Sequence, residues 1–416
     1  MTRKTDVLIL GAGVVGLACA YYLLADGRGV TLVDQGEVGC GSSHGNCGTL
    51  TPSHAPPLAM PGVIADALGC LFKADAPLRI RPRLDPRLWR WLLEFSRRCN
   101  WPAFHAATRA RLPLLTHSRD LIEQLVSDRG LDCEFEPTGT LYVFRDERAF
   151  AKSSWLPETL AEIGLPIQSL DSAAAMTLEP ALKAGIAGGY FNPRDAHLRP
   201  DRYVAELERL VRKQGATIEQ NTRIESIERS GQRIERVRTS NGDFVGREVV
   251  LALGAWSPRF ASTLGLRIPI QPGKGYSITY TRPSICPRIP IVLKEPSVCV
   301  TSWQSGYRLG STMEFAGYDT RLNRTRVEAI KRGAAAFLLE PEGPEVMEEW
   351  YGWRPMTPDD LPLIGRAPGI ANLILATGHG MLGVSMSLMT GVLVGEIAGA
   401  HEPSLDIAPY DPARFG

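Results

Sequence analysis

Val7-Leu8-Ile9-Leu10-Gly11-Ala12-Gly13-Val14-Val15-Gly16 opens the chain, and its reading decides the fold. Asp6 to Leu10 has the length and apolarity of a buried strand. The glycines that follow permit a tight turn, close backbone approach to a pyrophosphate, and close packing of a helix that begins near Val14. The N-terminus of such a helix faces phosphate, because its free N–H groups and its dipole favour an anion. A second apolar run, Val30 to Val33, ends in Asp34, eighteen residues after Gly16, where a carboxylate can accept hydrogen bonds from ribose hydroxyls. Strand, helix, strand and acid together predict a dinucleotide site. Lys4 followed by Val7 to Leu24 also has the basic start and apolar core of a secretory signal, but Asp6 and the ordered glycines fit the nucleotide unit better.

The 416 residues, 44% hydrophobic and 22% charged, suffice for two domains. Forty-six basic residues against 45 acidic ones provide no global drive toward nucleic acid. No apolar run of about 18 residues is free of glycine or charge, which argues against a spanning helix. The cysteines, Cys19, Cys40, Cys47, Cys70, Cys99, Cys133, Cys286 and Cys299, include no CxxC pair. They read as reduced thiols of a cytoplasmic protein. The dispersed histidines show no HxxxH or HExxH spacing, so no metal is expected.

Pro52 to Pro61 reads as a connector without regular structure. Asp85 to Arg129 reads as helices interrupted near Pro102 and Pro113, and Gly139 to Phe144 as a strand. A helix opens at Arg199-Pro200-Asp201 and runs to Gln214, followed by strands at Ala216 to Glu219 and Ile224 to Glu228. Val237 to Ser240 and Phe244 to Leu251 flank Asn241-Gly242, a hairpin signal. Val249 to Leu253 forms a strand that enters the turn at Gly254-Ala255-Trp256, then a helix toward Leu264, a second place where backbone can approach a cofactor. Ile268 to Thr281 and Val298 to Gly310 read as long strands of a separate sheet, covered by a helix at Thr325 to Leu339. Leu373 to Ala376 turns through Gly378-His379-Gly380 into a final helix ending near Gly399.

Five ordered blocks now resemble one family: Gly11-Ala12-Gly13 with Asp34, Gly41 to Asn46, Pro272 to Ser277, Arg354-Pro355-Met356-Thr357-Pro358-Asp359, and Thr377 to Gly383. Together they are similar to the D-amino-acid dehydrogenases of the D-amino-acid oxidase and glycine oxidase superfamily. The likeness covers nearly the whole chain, including Ala76-Pro77-Leu78 and Gly139-Thr140-Leu141. It implies an α/β fold: a Rossmann-like FAD-binding domain, discontinuous over 1–75, 190–265 and 350–416, with a mixed-sheet α+β substrate domain over 76–189 and 266–349. It also implies non-covalent FAD, oxidative deamination of a D-amino acid to its imine and 2-oxo acid, and electrons passed to a quinone or other carrier. D-Proline or a hydroxyproline is one substrate considered. The alternatives are an oxygen-using amine oxidase of the glycine or sarcosine type, a flavin-binding subunit of a larger dehydrogenase, and a nicotinamide-dependent enzyme. Against the sarcosine-oxidase branch, the block around Gly352 lacks a flavin-bonding cysteine, and Gly48-Thr49-Leu50-Thr51 stands where that branch carries arginines.

The cofactor residues expected on this likeness are Gly11, Ala12, Gly13, Val14, Val15, Gly16 and Asp34; Gly41, Ser42, Ser43, His44, Asn46, Gly48, Thr49 and Leu50; Ala252, Gly254 and Trp256; and Gly378, His379, Gly380, Met381, Leu382 and Gly383. The Gly380–Gly383 turn is expected to open the last helix, with its positive end toward the flavin's N1 and C2=O edge. Hydride transfer needs the substrate Cα hydrogen about 3 to 3.5 Å from flavin N5, so positioning is the protein's main task. Arg354 suits a carboxylate clamp, since a guanidinium offers paired donors and stays charged; the competing reading is a structural ion pair. Tyr276 can share that carboxylate or simply pack, His54 can contact substrate, Lys274 reads as a solvated charge and His197 as structural. Seven arginines between Arg79 and Arg98 interleave with Trp89, Trp91, Leu92, Leu93 and Phe95. Such a surface suits peripheral contact with the inner face of an anionic membrane, although a helix with one core and one solvated face is the favoured reading.

Overall fold

The computed structural model describes residues 2–65 and 76–416, and its strands sort into two large sheets and one small pair. Cys70 lies outside the described residues. The first sheet is built on β1 (Thr2–Leu10), whose residues Val7 to Leu10 are fully buried. Its parallel core runs β9 (Thr217–Glu219), β2 (Val30–Val33), β1, β12 (Gly242–Leu251), β19 (Leu373–Thr377), with β18 (Leu363–Arg366) antiparallel at the edge. A hairpin of β10 (Ile224–Ser230) and β11 (Arg233–Thr239) continues from β12. Strand order reverses between β1 and β12, the place where doubly wound sheets bind ligands beyond their carboxyl ends. Helix α1 (Val14–Ala25) follows the glycine turn and packs on the last helix, so closely that a Cβ at Gly391 would lie 2.5 Å from Ala18 O.

The second sheet runs β17 (Val346–Met356), β13 (Gln271–Tyr280), β16 (Gly306–Phe315), β15 (Val298–Trp303), β14 (Ile291–Leu293), β5 (Thr140–Phe144), β7 (Gly188–Asn192), β6 (Gln168–Asp171), with β4 (Leu78–Ile80) beside β16. It is mixed: β14 and β5 are parallel, whereas β13 is antiparallel to both neighbours. Alternation along β13 sends Tyr276, Ile278 and Tyr280 into a core with Val327, Ile330, Ala334 and Phe337 of the helix Arg324–Phe337. The opposite face of the sheet looks toward the nucleotide domain. The small pair joins β3 (Thr49–Leu50) to β8 (Ala196–His197). β17 straddles residue 350 and pairs within the second sheet, so the chain returns to the first sheet after Met356.

Several expected elements shift. Pro102 sits in the first turn of α3 (Trp101–Arg129), where no N–H is required, and Asn100 caps that turn by accepting from Ala103 N at 3.0 Å. Pro113 does not break α3, because Leu114, Leu115 and Ile122 are buried in the main core and tertiary packing outweighs one lost bond. The preceding helix, α2, covers Pro86–Arg98. Val298 to Gly310 is not one strand but the β15–β16 hairpin, turning between Trp303 and Gly306. The β11–β12 turn lies one residue earlier than Asn241-Gly242, since Thr239 pairs with Gly242. Pro52–His54 forms one 3₁₀ turn inside the proline-rich connector. The final helix, α4, spans Ser387–Ala398 and opens at Ser387, not at Gly380. Among the described residues no helix is long and apolar enough to cross a membrane.

Candidate functional site

A cavity of about 1470 Å³ lies between the two sheets, lined by residues from both. At its nucleotide end Gly11 has φ +106°, and a Cβ there would sit 2.5 Å from Ala252 O, so only glycine lets β1 and β12 meet at the switch point. Asp34 accepts from Ala12 N at 2.8 Å and Gly36 N at 3.0 Å, which fixes the turn while the carboxylate lines the cavity. Its burial raises the carboxyl pKa. Helix α1 starts at Gly13 without a side-chain cap of its own; Ser43 Oγ accepts from Val14 N at 3.0 Å. Gly13, Val14 and Val15 line the cavity, so the positive end of the helix is presented to it. Ala12 and Gly16 shape this turn without lining the cavity, and a Cβ at Gly16 would lie 2.0 Å from Gly11 O.

The loop Gly41–Gly48 crosses from this end to the second sheet. Asn46 folds it, donating to Ser43 O at 2.8 Å and accepting from Gly48 N at 2.8 Å. Gly48 has φ +67° and no room for a Cβ against Leu198 O. Buried Arg308 staples the loop to β16 by donating to His44 O at 3.1 Å and Asn46 O at 2.8 Å, while Ser277 Oγ donates to Gly45 O at 2.8 Å. Gly41, Ser42, Ser43, Asn46, Gly48 and Thr49 line the cavity; Leu50 is buried beside it. His44 does not line it. Its Nε2 lies 2.7 Å from Glu348 Oε1, and that bond raises its pKa. The structure therefore does not bring His44 to the cavity with the other residues expected at the cofactor.

From the far end of the chain, Ala252, Gly254 and Trp256 line the wall beside Gly11, and His379 to Gly383 line the wall opposite the loop. Gly378 has φ +80° and turns the chain without lining the cavity. His379 is buried with Nε2 3.0 Å from Thr390 Oγ1, and desolvation lowers its pKa to about 3, so it stays neutral. With α4 opening at Ser387, the Gly380–Gly383 segment is a run of turns ahead of the helix, so its N-terminal field acts from farther back than expected.

At the substrate end, Arg354 projects from β17 over Gly275, whose added Cβ would lie 2.5 Å from the guanidinium carbon. Its Nη1 donates to Thr312 O at 2.6 Å, and the described residues offer it no carboxylate. Burial lowers its pKa, with Cys47 and Cys299 acting the other way. Ser311 and Thr312 form a bulge in β16 with φ +119° and +60°, a strained conformation for non-glycine residues, and this bulge aims Thr312 O at Arg354. Tyr276 lines the cavity, but its hydroxyl donates to Glu314 Oε2 at 2.6 Å and its ring packs in the core beneath the helix Arg324–Phe337. Lys274 is buried, not solvated; its ammonium donates to Arg321 O and lies 4.3 Å from the centre of the Tyr351 ring. His54 lines the cavity with Nδ1 2.8 Å from Thr51 Oγ1, and burial with Lys294 and Arg111 nearby lowers its pKa to about 3. His197 is structural, its Nε2 lying 3.1 Å from Ser302 O.

Sequence reasoning missed the middle of this wall. Tyr142, Val292 and Cys299 occupy one register row across β5, β14 and β15 and line the cavity. The Tyr142 hydroxyl lies 2.6 Å from Ser53 Oγ, which donates to buried Asp195; burial raises that acid to about 7. Alternation in these strands marks which side chains share a face, but no local pattern says which strands are neighbours.

The cavity fits FAD on its own features: a helix start that lines it, a glycine-only contact between β1 and β12, an acid at the end of β2, and length enough to reach the second sheet. Residues 6–397 match the family model described as FAD dependent oxidoreductase. The chain is 35% identical to a D-amino acid dehydrogenase of Rhizorhabdus wittichii, over 98% of this chain and 100% of that one. It is 34% identical to one of Bradyrhizobium diazoefficiens, over 98% of each. In fold it is similar to glycine oxidase from Geobacillus kaustophilus, with 24% identity, a TM-score of 0.80 and 99% of each chain covered. L-proline dehydrogenase from P. horikoshii gives 19% identity and a TM-score of 0.75, covering 100% of this chain and 98% of that one. The chain belongs to the FAD-dependent oxidoreductase family.

Proposed function

We propose that this enzyme oxidises D-amino acids as a dehydrogenase, with Arg354 holding the substrate carboxylate. The observation that carries the reading is a guanidinium facing the cavity with no carboxylate partner among the described residues and one carbonyl contact, to Thr312. A cation so placed favours an anionic ligand, and its forked donors match a carboxylate. The names of the relatives from Rhizorhabdus wittichii and Bradyrhizobium diazoefficiens support the D-amino acid as substrate class. Bound FAD supplies the two-electron acceptor for the hydrogen on the substrate α carbon.

The chain's own residues position and shield. Gly275 leaves the space that lets Arg354 lie flat over β13, and the Thr312 bulge fixes its azimuth. The first turn of α1 and Asp34 hold the nucleotide half of the cofactor, and the loop pinned by Arg308 and Asn46 closes over its redox-active half. Neutral His54 and His379 add no charge near the reacting carbon. The electron acceptor is a quinone that reaches the cavity from a membrane surface. Trp89 and Leu93 of α2 line the cavity and are 57% and 52% exposed, whereas Trp91 of the same helix is buried and donates to Met356 O at 3.0 Å.

Anaerobic mixing with a panel of D- and L-amino acids tests the reading: D-isomers bleach the flavin, and dye is reduced in air with little peroxide formed. Bleaching by L-isomers alone, or stoichiometric peroxide, would overturn it. Arg354→Ala is expected to keep FAD and raise KM at least about 100-fold, the scale of losing a charge-assisted pair worth ~3 kcal/mol.

A further inference from the structure

Arg354 is not the only unmatched cation in the cavity. Arg81, Arg83, Arg111 and Arg223 also line it, and each has a carboxylate partner: Asp319, Asp85, Asp360 and Glu225. Arg259, toward the nucleotide wall, lies 4.7 Å over the Tyr318 ring. Lys294 has neither an ion pair nor a hydrogen bond from its ammonium among the described residues. Its neighbour Glu295 acts on it only through space: it makes no ion pair with the ammonium, and its Oε1 accepts from Arg145 N and Asp146 N, both at 2.9 Å.

The place of Lys294 in the sheet gives the cation a direction. It follows β14 by one residue, two positions after Val292 and therefore on the same face, and its N–H donates to Val143 O at 3.0 Å, which extends the ladder to β5. Its ammonium lies 5.7 Å from the centre of the Tyr142 ring. That ring also meets His54 edge-on, centroids 5.5 Å apart, and with Nδ1 taken by Thr51 the Nε2 of His54 has no partner among the described residues. A cation, a neutral imidazole and an aromatic ring thus form one polar corner of an otherwise apolar wall. Burial lowers the Lys294 pKa and the Glu295 charge only partly opposes it, so this ammonium gains from an added anion more than a solvated lysine does.

We propose that Lys294, with His54 beside it, binds a side-chain carboxylate, so that acidic D-amino acids such as D-glutamate are substrates of this enzyme. The inference rests on the reading of Arg354 as the α-carboxylate clamp. In the order β17-β13-β16-β15-β14 the two cations start four strand spacings apart, roughly 19 Å at about 4.8 Å each. Arg354 already reaches over β13 to Thr312 of β16, which closes two of those spacings, while the Lys294 ammonium stays beside Tyr142 of β5. The remaining gap, on the order of two strand spacings, suits a five-carbon amino acid with a carboxylate at each end. A membrane lipid or the FAD diphosphate does not fit this corner, because it lies on the substrate sheet away from the Gly11–Gly16 turn.

The test compares kcat/KM of the FAD-loaded enzyme on D-glutamate and D-glutamine, which differ by one charge at equal length. The expected ratio favours D-glutamate at least tenfold. Lys294→Met should collapse that ratio through KM, and Lys294→Arg should restore most of it. Glutarate should also quench tryptophan fluorescence of the wild-type holoenzyme at lower concentration than butyrate does, a binding readout independent of turnover. Equal use of D-glutamate and D-glutamine, or a Lys294→Met variant with the wild-type ratio, overturns the proposal. Turnover of neutral D-amino acids without preference for D-glutamate sinks this inference alone. Failure of every D-amino acid to bleach the flavin sinks the reading of the enzyme on which it rests.

Discussion

The two ends of the cavity are built by different means. At the nucleotide end the work falls to backbone: a glycine turn, a helix start and one acid, all within Gly11 to Asp34. At the substrate end it falls to side chains from separated strands, with Arg354 on β17, Tyr142 on β5 and Lys294 beyond β14. A backbone site tolerates little change in shape, because a Cβ in the wrong place meets main chain that cannot move. A side-chain site can be retuned one residue at a time. One end should therefore fail outright on mutation, and the other should shift its kinetics while keeping the cofactor.

Gly11→Val is the strongest way to break this contrast. A β-branched residue at φ +106° is strained by about 1–3 kcal/mol, before its Cβ meets Ala252 O at 2.5 Å. Separation of β1 from β12 removes the pyrophosphate contact, so the variant is expected to purify without visible flavin absorbance and to melt lower than wild type. A variant that is fully yellow would mean the cofactor is held chiefly by side chains. At the substrate end, Gly275→Ala puts a methyl where the Arg354 guanidinium lies, 2.5 Å from its central carbon. The arginine is flexible and swings aside, so the expected loss is about tenfold in kcat/KM, or ~1.4 kcal/mol, carried by KM with FAD retained. An unchanged KM would show that Arg354 does not need that position.

The same contrast explains what could be read before the structure was known. The Gly11–Gly16 turn and Asp34 are contiguous, and each residue type is forced by a local requirement, so strand, helix and acid were legible together. That Arg354 belongs to the cavity wall was legible because a run of family-like residues surrounds it. Lys294, Tyr142 with Ser53 and Asp195, and the Arg308 staple were not, since β14 pairs with β5 some 150 residues away and nothing local announces that neighbour. Alternation within β13 could have shown that Tyr276 faces away from Gly275, had the cavity side of the strand been known. The Pro113 and β15–β16 differences share a cause: tertiary packing and a two-residue turn at Gln304-Ser305 overrode local propensity.

His44 supplies the finest test, because it sits in the cofactor loop yet belongs to neither ligand-binding end. Its imidazole bonds Glu348 at 2.7 Å, with its pKa raised and that of Glu348 lowered by the same contact. A histidine whose folded pKa is raised contributes stability that is fully present below its unfolded value of about 6.5. That contribution is lost as pH climbs through the raised folded value. The carboxylate's share fails on the acid side, as pH falls through the lowered value of Glu348. Both side chains are about a third exposed, so the pair is screened and worth only ~0.5 kcal/mol. His44→Ala is thus expected to keep its full complement of FAD and to lower the melting temperature by about 0.5–1 °C near pH 6. The difference from wild type should vanish by pH 9. Loss of flavin at either pH would return His44 to the cofactor and blur the line between the two ends.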